Sequence, residues 1–210
     1  MGDGVRVRIP LLEGLGSAIL SGASFGDRPL TPNERELLLS IFGDSVNLDP
    51  ILIGFTRLIS SGTGAYTMGN KILIPAATMI DAPILVHEMT HVWQYQTRGT
   101  RYISDSALHQ LTQGKSAYAV TIVPGRSIYD YAAEQQAVIV EYYYRDSPAG
   151  FRANPDVQSM INEVQKARPL SNSDIVNETW FGSFQGPLDT NYGSGAPQLS
   201  PTVPLLRITW

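Results

Sequence analysis

The sequence has no cysteine, no excess of basic residues and no long apolar run. Without cysteine there is no disulfide framework, and any metal site must be assembled from imidazoles and carboxylates. Histidine is scarce as well: only His87, His91 and His109 are present, so few nitrogen ligands are available to a cation. With 15 Lys and Arg against 19 Asp and Glu, the net charge of -4 gives no basic footprint for nucleic acid and no polybasic membrane anchor. No stretch approaches the roughly 20 apolar residues of a membrane span. Near the start, Glu13 interrupts Leu11-Leu12-Glu13-Gly14-Leu15, the kind of run a secretory signal would need. The expectation is a chain made soluble in the cytoplasm, with no signal peptide and no nucleic-acid partner.

What is present centres on one stretch, Ile84-Leu85-Val86-His87-Glu88-Met89-Thr90-His91-Val92-Trp93-Gln94-Tyr95-Gln96. At 100° per residue, His87 and His91 project from one helix face a turn apart, and Glu88 leans over its edge. Two imidazoles so placed can share a zinc ion. A catalytic zinc keeps its fourth position for water, whose pKa falls toward roughly 7, and Glu88 is placed to take that water's proton. The remaining positions are apolar on nearly every side, which predicts a helix inside the core. Asp81 suits the N-cap, Pro83 the first turn and Gly99 the C-terminal stop. The bland alternative, two hydrogen-bonded core histidines with Glu88 capping a backbone group, leaves the full five-residue pattern unexplained.

The 210 residues suffice for one full-sized domain with appendages. Residues 1–29 are rich in Gly and Ser and read as a flexible or loosely packed arm. Residues 30–180 carry the domain, and 181–210 a Gly- and Pro-rich tail that can touch the body through Leu205, Leu206, Ile208 and Trp210. A capping box, Thr31-Pro32-Asn33-Glu34, opens a helix that ends at Gly43. Ile51 to Phe55 reads as a strand, and Ala65 to Met68 with Lys71 to Ile74 as a hairpin around Gly69-Asn70. An exposed strand there can accept an extended peptide by backbone pairing. Further on, a short helix is predicted at Asp105 to Gln113, a strand at Ala117 to Val123, a major helix from Tyr129 to Arg145 and another from Pro155 to Ala167.

Two histidines do not complete a catalytic zinc site. The metzincin pattern needs glycine at 94 and histidine at 97, where this chain has Gln94 and Thr97, so that class is excluded. The candidates for the third ligand are Glu134, Glu141, Asp130 and His109. Glu134 is preferred, because an ionised carboxylate early in an otherwise apolar helix needs a cation or hydrogen bonds to be buried. Glu141, seven residues on, shares its face and is the runner-up. For the oxyanion of a tetrahedral intermediate, Tyr129, Tyr131, Tyr142, Tyr143 and His109 are the available donors.

Several runs carry a family resemblance: Leu30-Thr31-Pro32-Asn33-Glu34, Ile41-Phe42-Gly43-Asp44-Ser45-Val46, Tyr66-Thr67-Met68-Gly69-Asn70-Lys71-Ile72, the histidine helix, and Glu134-Gln135-Gln136-Ala137-Val138-Ile139-Val140-Glu141. From Leu30 to Arg145 the chain resembles bacterial Vgr-related proteins, near the DUF4157 metallopeptidases, which are themselves like gluzincins. The resemblance implies an α+β zincin-like fold, with a small antiparallel sheet before the helix that bears the motif. It also implies zinc as cofactor, His87, His91 and Glu134 as ligands, Glu88 as base, and association with a type VI or other contractile secretion system. An exported effector or toxin, a spike contact and an immunity partner all fit that setting. One departure stands out: thermolysin-like enzymes place an aspartate four residues after the glutamate ligand, where this chain has Val138, so a histidine's own partner must come from elsewhere.

Three functions follow. The first is zinc-dependent hydrolysis of peptide bonds. The second is a zinc-stabilised or metal-free binding module on a secretion spike, suggested by the arm and the tail. The third is zinc hydrolysis of a non-peptide amide such as a cell-wall crosslink.

Overall fold

Capping chemistry sets the helix boundaries. In a computed structural model that describes residues 24–57, 65–76, 79–99, 118–171 and 206–208, helix α1 (Pro32–Phe42) starts at a complete capping box. The Glu34 N–H donates to Thr31 Oγ1 at 3.3 Å, and the Thr31 N–H donates to Glu34 Oε2 at 2.7 Å. Such a cap contributes about 1 kcal/mol. The same carboxylate takes a bidentate pair from Arg28 at 2.8 and 2.7 Å, which holds it below the usual carboxylate range.

Helix α2 (Ala82–Arg98) carries the two histidines. Asp81 Oδ1 accepts from the Ile84 N–H at 2.9 Å, and Gly99, at φ 67°, returns its N–H to Tyr95 O at 2.9 Å. Val86, Met89, Val92 and Trp93 are fully buried, so this helix runs through the core as its pattern requires. Each such side chain contributes roughly 1.5–3 kcal/mol on leaving water.

Helix α3 (Ala133–Arg145) begins four residues later than the sequence pattern suggests. Ser127 and Asp130 form a capping box, but it closes a three-residue 3-10 turn, Ile128–Asp130, after which Tyr131 is extended at ψ 148°. The delay puts Glu134 in the first turn of α3, where the partial positive charge of the helix start favours a carboxylate. Helix α4 (Pro155–Lys166) is capped by Asn154 and buries Val157, Met160, Ile161 and Val164.

Strands β1 (Ser24–Pro29), β2 (Leu52–Thr56), β3 (Tyr66–Met68) and β4 (Lys71–Pro75) form one sheet in the order β1-β2-β4-β3. Thus the last six residues of the 1–29 stretch are sheet. The fold is α+β, but the sheet is mixed and not antiparallel throughout, because β2 pairs with β4 in parallel. The hairpin fixes only that β3 and β4 oppose each other; which arm meets β2 is decided by burial. Ile72, Leu73 and Ile74 are fully buried, so β4 takes the inner place and β3 the edge. A second pair joins β5 (Val120–Ile122) to β6 (Leu206–Ile208), antiparallel. The predicted helix at Asp105 to Gln113, and His109 with it, lies outside the described residues. No described helix is long and apolar enough to cross a membrane.

Buried Gln96 ties the hairpin to α2. Its amide nitrogen donates to Asn70 Oδ1 at 2.8 Å and to Asn47 O at 2.9 Å, while its oxygen accepts the Asn47 N–H at 2.7 Å. Gly69 makes the turn at φ 60°, and a β-carbon there would also meet the Tyr95 ring at 3.4 Å. The edge strand is thereby held over the histidine helix.

Candidate metal centre

Helices α2 and α3 bring His87, His91 and Glu134 together, with one ligand atom from each within 4.8 Å of the others. Both imidazole Nε2 atoms lie 3.5 Å from the same oxygen, Glu134 Oε2. That is long for a hydrogen bond between ionised partners. It is close to the spacing of ligand atoms around a tetrahedral zinc, which at bond lengths of 2.0–2.2 Å stand roughly 3.4 Å apart. Two neutral nitrogens and one carboxylate oxygen are also the donor types zinc takes in the absence of thiolate. The donor set and its spacing fit the ion that the sequence suggests.

The other sequence candidates take different places. Glu141 stands behind the pair: its Oε2 is 3.2 Å from His87 Nδ1, the nitrogen turned away from Glu134, and its other oxygen accepts from Arg145 at 2.9 Å. It is the histidine partner that Val138 does not supply. Asp130 accepts the Ser127 N–H at 3.0 Å inside its own capping box.

Electrostatics make the cluster cation-seeking. Burial would push Glu134 up, but the His87 and His91 imidazoles beside it pull it well below the usual carboxylate range. Burial would likewise keep His87 neutral, yet the Glu134 and Glu141 carboxylates overcome it and raise the imidazole to about 10. His91 is raised too, against burial and chiefly by Glu134. The carboxylates thus favour positive charge at the imidazoles of the metal-free protein.

A pH dependence follows for chelator-treated protein. The raised His87 contributes stability that is complete below its ordinary value of 6.5 and is lost as pH climbs toward about 10. The depressed Glu134 contributes above its ordinary 4.5 and loses that contribution as pH falls. The thermal midpoint should be highest between these two values and decline on the alkaline side, by roughly 2–4 °C for each kcal/mol lost. A midpoint that stays level from neutral pH to pH 10 would contradict the pairing.

Glu88 is 6% exposed, and its carboxylate Oε2 accepts the Thr67 hydroxyl at 2.6 Å. No local pattern in the sequence marks this contact, which joins residues 21 apart across the edge strand and the helix. The downstream tyrosines are engaged elsewhere. Tyr129 stacks on Trp93 beneath the Arg98 guanidinium, and the Tyr131 hydroxyl accepts from the Val123 N–H and donates to Thr121 O. Tyr142 packs edge-on against Phe151, and Tyr143 lies under Arg152. Among the described residues, the tyrosines nearer the cluster are Tyr118, whose ring centroid is 6.2 Å from that of His87, and Tyr66, which senses the Glu134 and Glu88 charges. Burial first, and then the Glu134 and Glu88 charges, raise the Tyr66 hydroxyl above its ordinary value. Its signal was available in the hairpin, since Tyr66 opens the arm that lies over the histidine helix. Tyr118 has no comparable signal.

No protein-family profile matches the chain. The type VI secretion system spike protein VgrG2b of Pseudomonas aeruginosa is 27% identical over a 150-residue alignment that takes in 62% of this chain and 15% of that protein. The solved effector domain of Pseudomonas aeruginosa VgrG2b superposes with a TM-score of 0.51 and 25% identity, covering 72% of this chain and 94% of the domain. In sequence and in fold, this chain is therefore similar to the effector domain of a Vgr spike protein, a small part of that protein's whole length.

Proposed function

We propose that this protein is a zinc-dependent peptidase that acts as an effector of a type VI secretion system, joined to or carried by its spike. The convergence of His87, His91 and Glu134 within 4.8 Å, beside a buried Glu88, carries the hydrolase part. Similarity to the VgrG2b effector domain supports the secretion part. Bound at these three side chains, zinc would supply Lewis acidity, polarising a carbonyl and making water a nucleophile near neutral pH.

The remaining work falls to the chain itself. Glu88 accepts the proton of the attacking water as the C–O bond forms, then returns it to the departing amine as the C–N bond breaks. Thr67 holds the carboxylate in place for both transfers, and Glu141 holds the His87 ring. Among the described residues β3 is the last strand of its sheet, and its free side gives an extended peptide a strand to pair with, next to Glu88.

Metal analysis together with digestion of a peptide library tests the proposal. One zinc per chain and cleavage of a subset of peptides is the expected result. Zinc without cleavage of any peptide would favour a spike-bound module, and release of fragments from purified peptidoglycan would move the substrate to cell-wall amides. Absence of zinc binding would overturn the centre itself.

Thr67 gives a finer test. Hydrogen bonds to charged groups contribute about 1.5–3 kcal/mol, so Thr67→Val should lower kcat by about tenfold or more with little change in KM. Thr67→Ser, which keeps the hydroxyl, should recover most of the rate. Equal losses in both variants would show that Thr67 matters for packing alone.

A further inference from the structure

Resting on the metal-binding reading above, we infer that Gln94 is a positioning residue that fixes His91 as the tautomer protonated on Nδ1, in a direction dictated by the chain segment that carries Glu134. Gln94 lies one turn beyond His91 on α2, with its amide oxygen 2.9 Å from His91 Nδ1. Its nitrogen donates to Ala133 O at 2.9 Å and to Gln136 Oε1 at 3.0 Å. The Gln136 nitrogen in turn donates to Tyr131 O at 2.7 Å.

Amide oxygen and nitrogen are alike in shape, so an isolated glutamine leaves the direction of such a chain open. Here two main-chain carbonyls close the question. A carbonyl oxygen only accepts, so the Gln94 atom facing Ala133 O and the Gln136 atom facing Tyr131 O must both be nitrogen. Each amide oxygen is then committed: that of Gln136 accepts from Gln94, and that of Gln94 faces the imidazole. Nδ1 must therefore carry the proton, and in the neutral ring Nε2, the atom turned to Glu134, presents its lone pair. His91, Gln94 and Gln136 are 7%, 0% and 1% exposed, so bulk water is shut out from taking either end of the relay.

The two imidazoles are thus held differently. His87 has an anionic partner, Glu141, while His91 has a neutral one whose orientation comes from Tyr131 and Ala133, directly ahead of Glu134. Glu134 and Glu141 already place two negative charges around the cluster. A glutamine sets the tautomer without adding a third. Because the relay runs from the first turn of α3 to α2, it aligns a nitrogen ligand and the oxygen ligand as one unit.

The test is zinc affinity of the full chain, measured by competition with a chromophoric chelator, for the unaltered protein, Gln94→Met and Gln136→Met. Loss of a ligand's own hydrogen-bond partner typically lowers metal affinity about 10–100-fold, and Gln94→Met should fall in that range. Gln136→Met should lose less, because Ala133 O still orients Gln94. In 15N-histidine NMR of the zinc-loaded protein, the His91 Nδ1 proton should be present and slow to exchange. Gln94→Met affinity within twofold of the unaltered protein would overturn the inference and leave the metal centre standing. Coordination of His91 through Nδ1 would do the same. Failure of the unaltered protein to bind zinc would overturn both. If Gln94→Met does not fold, Gln136→Met and the NMR of the unaltered chain still decide.

Discussion

Replacing Glu88 by glutamine should lower peptide turnover by about 10²–10⁴-fold, the range that a positioned general acid–base contributes, while the protein still binds one zinc per chain. Glutamine keeps the side-chain length and an amide oxygen that can accept the Thr67 hydroxyl, now 2.6 Å from the carboxylate, so the edge strand stays docked on α2. What is lost is the capacity to take up a proton. The three atoms that would hold the metal are untouched. Removing the negative charge next to His87 and His91 also weakens one of the influences that raise both imidazoles. Protonation competes with metal binding, so zinc should be held at least as well as before. Steady-state kinetics beside metal stoichiometry on the same preparation checks this. Turnover within about tenfold of the unaltered protein would mean that another group moves the proton.

The histidine helix was legible because every feature of it is local. Asp81 and Gly99 close its ends, the apolar positions recur at helical spacing, and His87 and His91 share a face by periodicity alone. That Glu134 and not Glu141 joins the two Nε2 atoms was also open to sequence argument, since it rests on the cost of burying a carboxylate. The structure explains why one helix face offers both. Seven residues advance an α-helix by roughly 10 Å, too far for two carboxylates to meet the same point, so Glu134 faces the Nε2 atoms while Glu141 reaches the far nitrogen of His87.

The illegible parts are contacts between distant residues, which leave no periodic trace. Thr67 meets Glu88 across 21 residues and Gln94 meets Gln136 across 42. In the sequence, Gln94 serves only to rule out one zinc-peptidase pattern by not being glycine. In the fold it is fully buried and makes three polar contacts. The parallel pairing of β2 with β4 and the late start of α3 escaped for a related reason. A hairpin signal and a capping box are each read correctly as local devices, but how far the element runs, and what it lies beside, is settled by tertiary packing.

The same distinction between near and far carboxylates sets the second large effect. Glu134→Gln should weaken zinc binding by more than about 10²-fold, beyond the 10–100-fold typical of losing a ligand's outer partner, whereas Glu141→Gln should stay within that range. Glu134 is 1% exposed and supplies the negative charge nearest both Nε2 atoms. Without it, a divalent cation in this buried site would keep two neutral imidazoles and lose the one carboxylate placed to bond it, which is costly. At Glu141 the substitution removes charge but not the acceptor: an amide oxygen can still take the His87 Nδ1 proton, and Arg145 lies at a 43% exposed position where water can replace its partner. Metal-free stability should follow the same order, because Glu134 pairs with two imidazoles and Glu141 with one. Titration of both variants with zinc against a chelator of known affinity decides the matter, and a larger loss for Glu141→Gln would exchange the two roles.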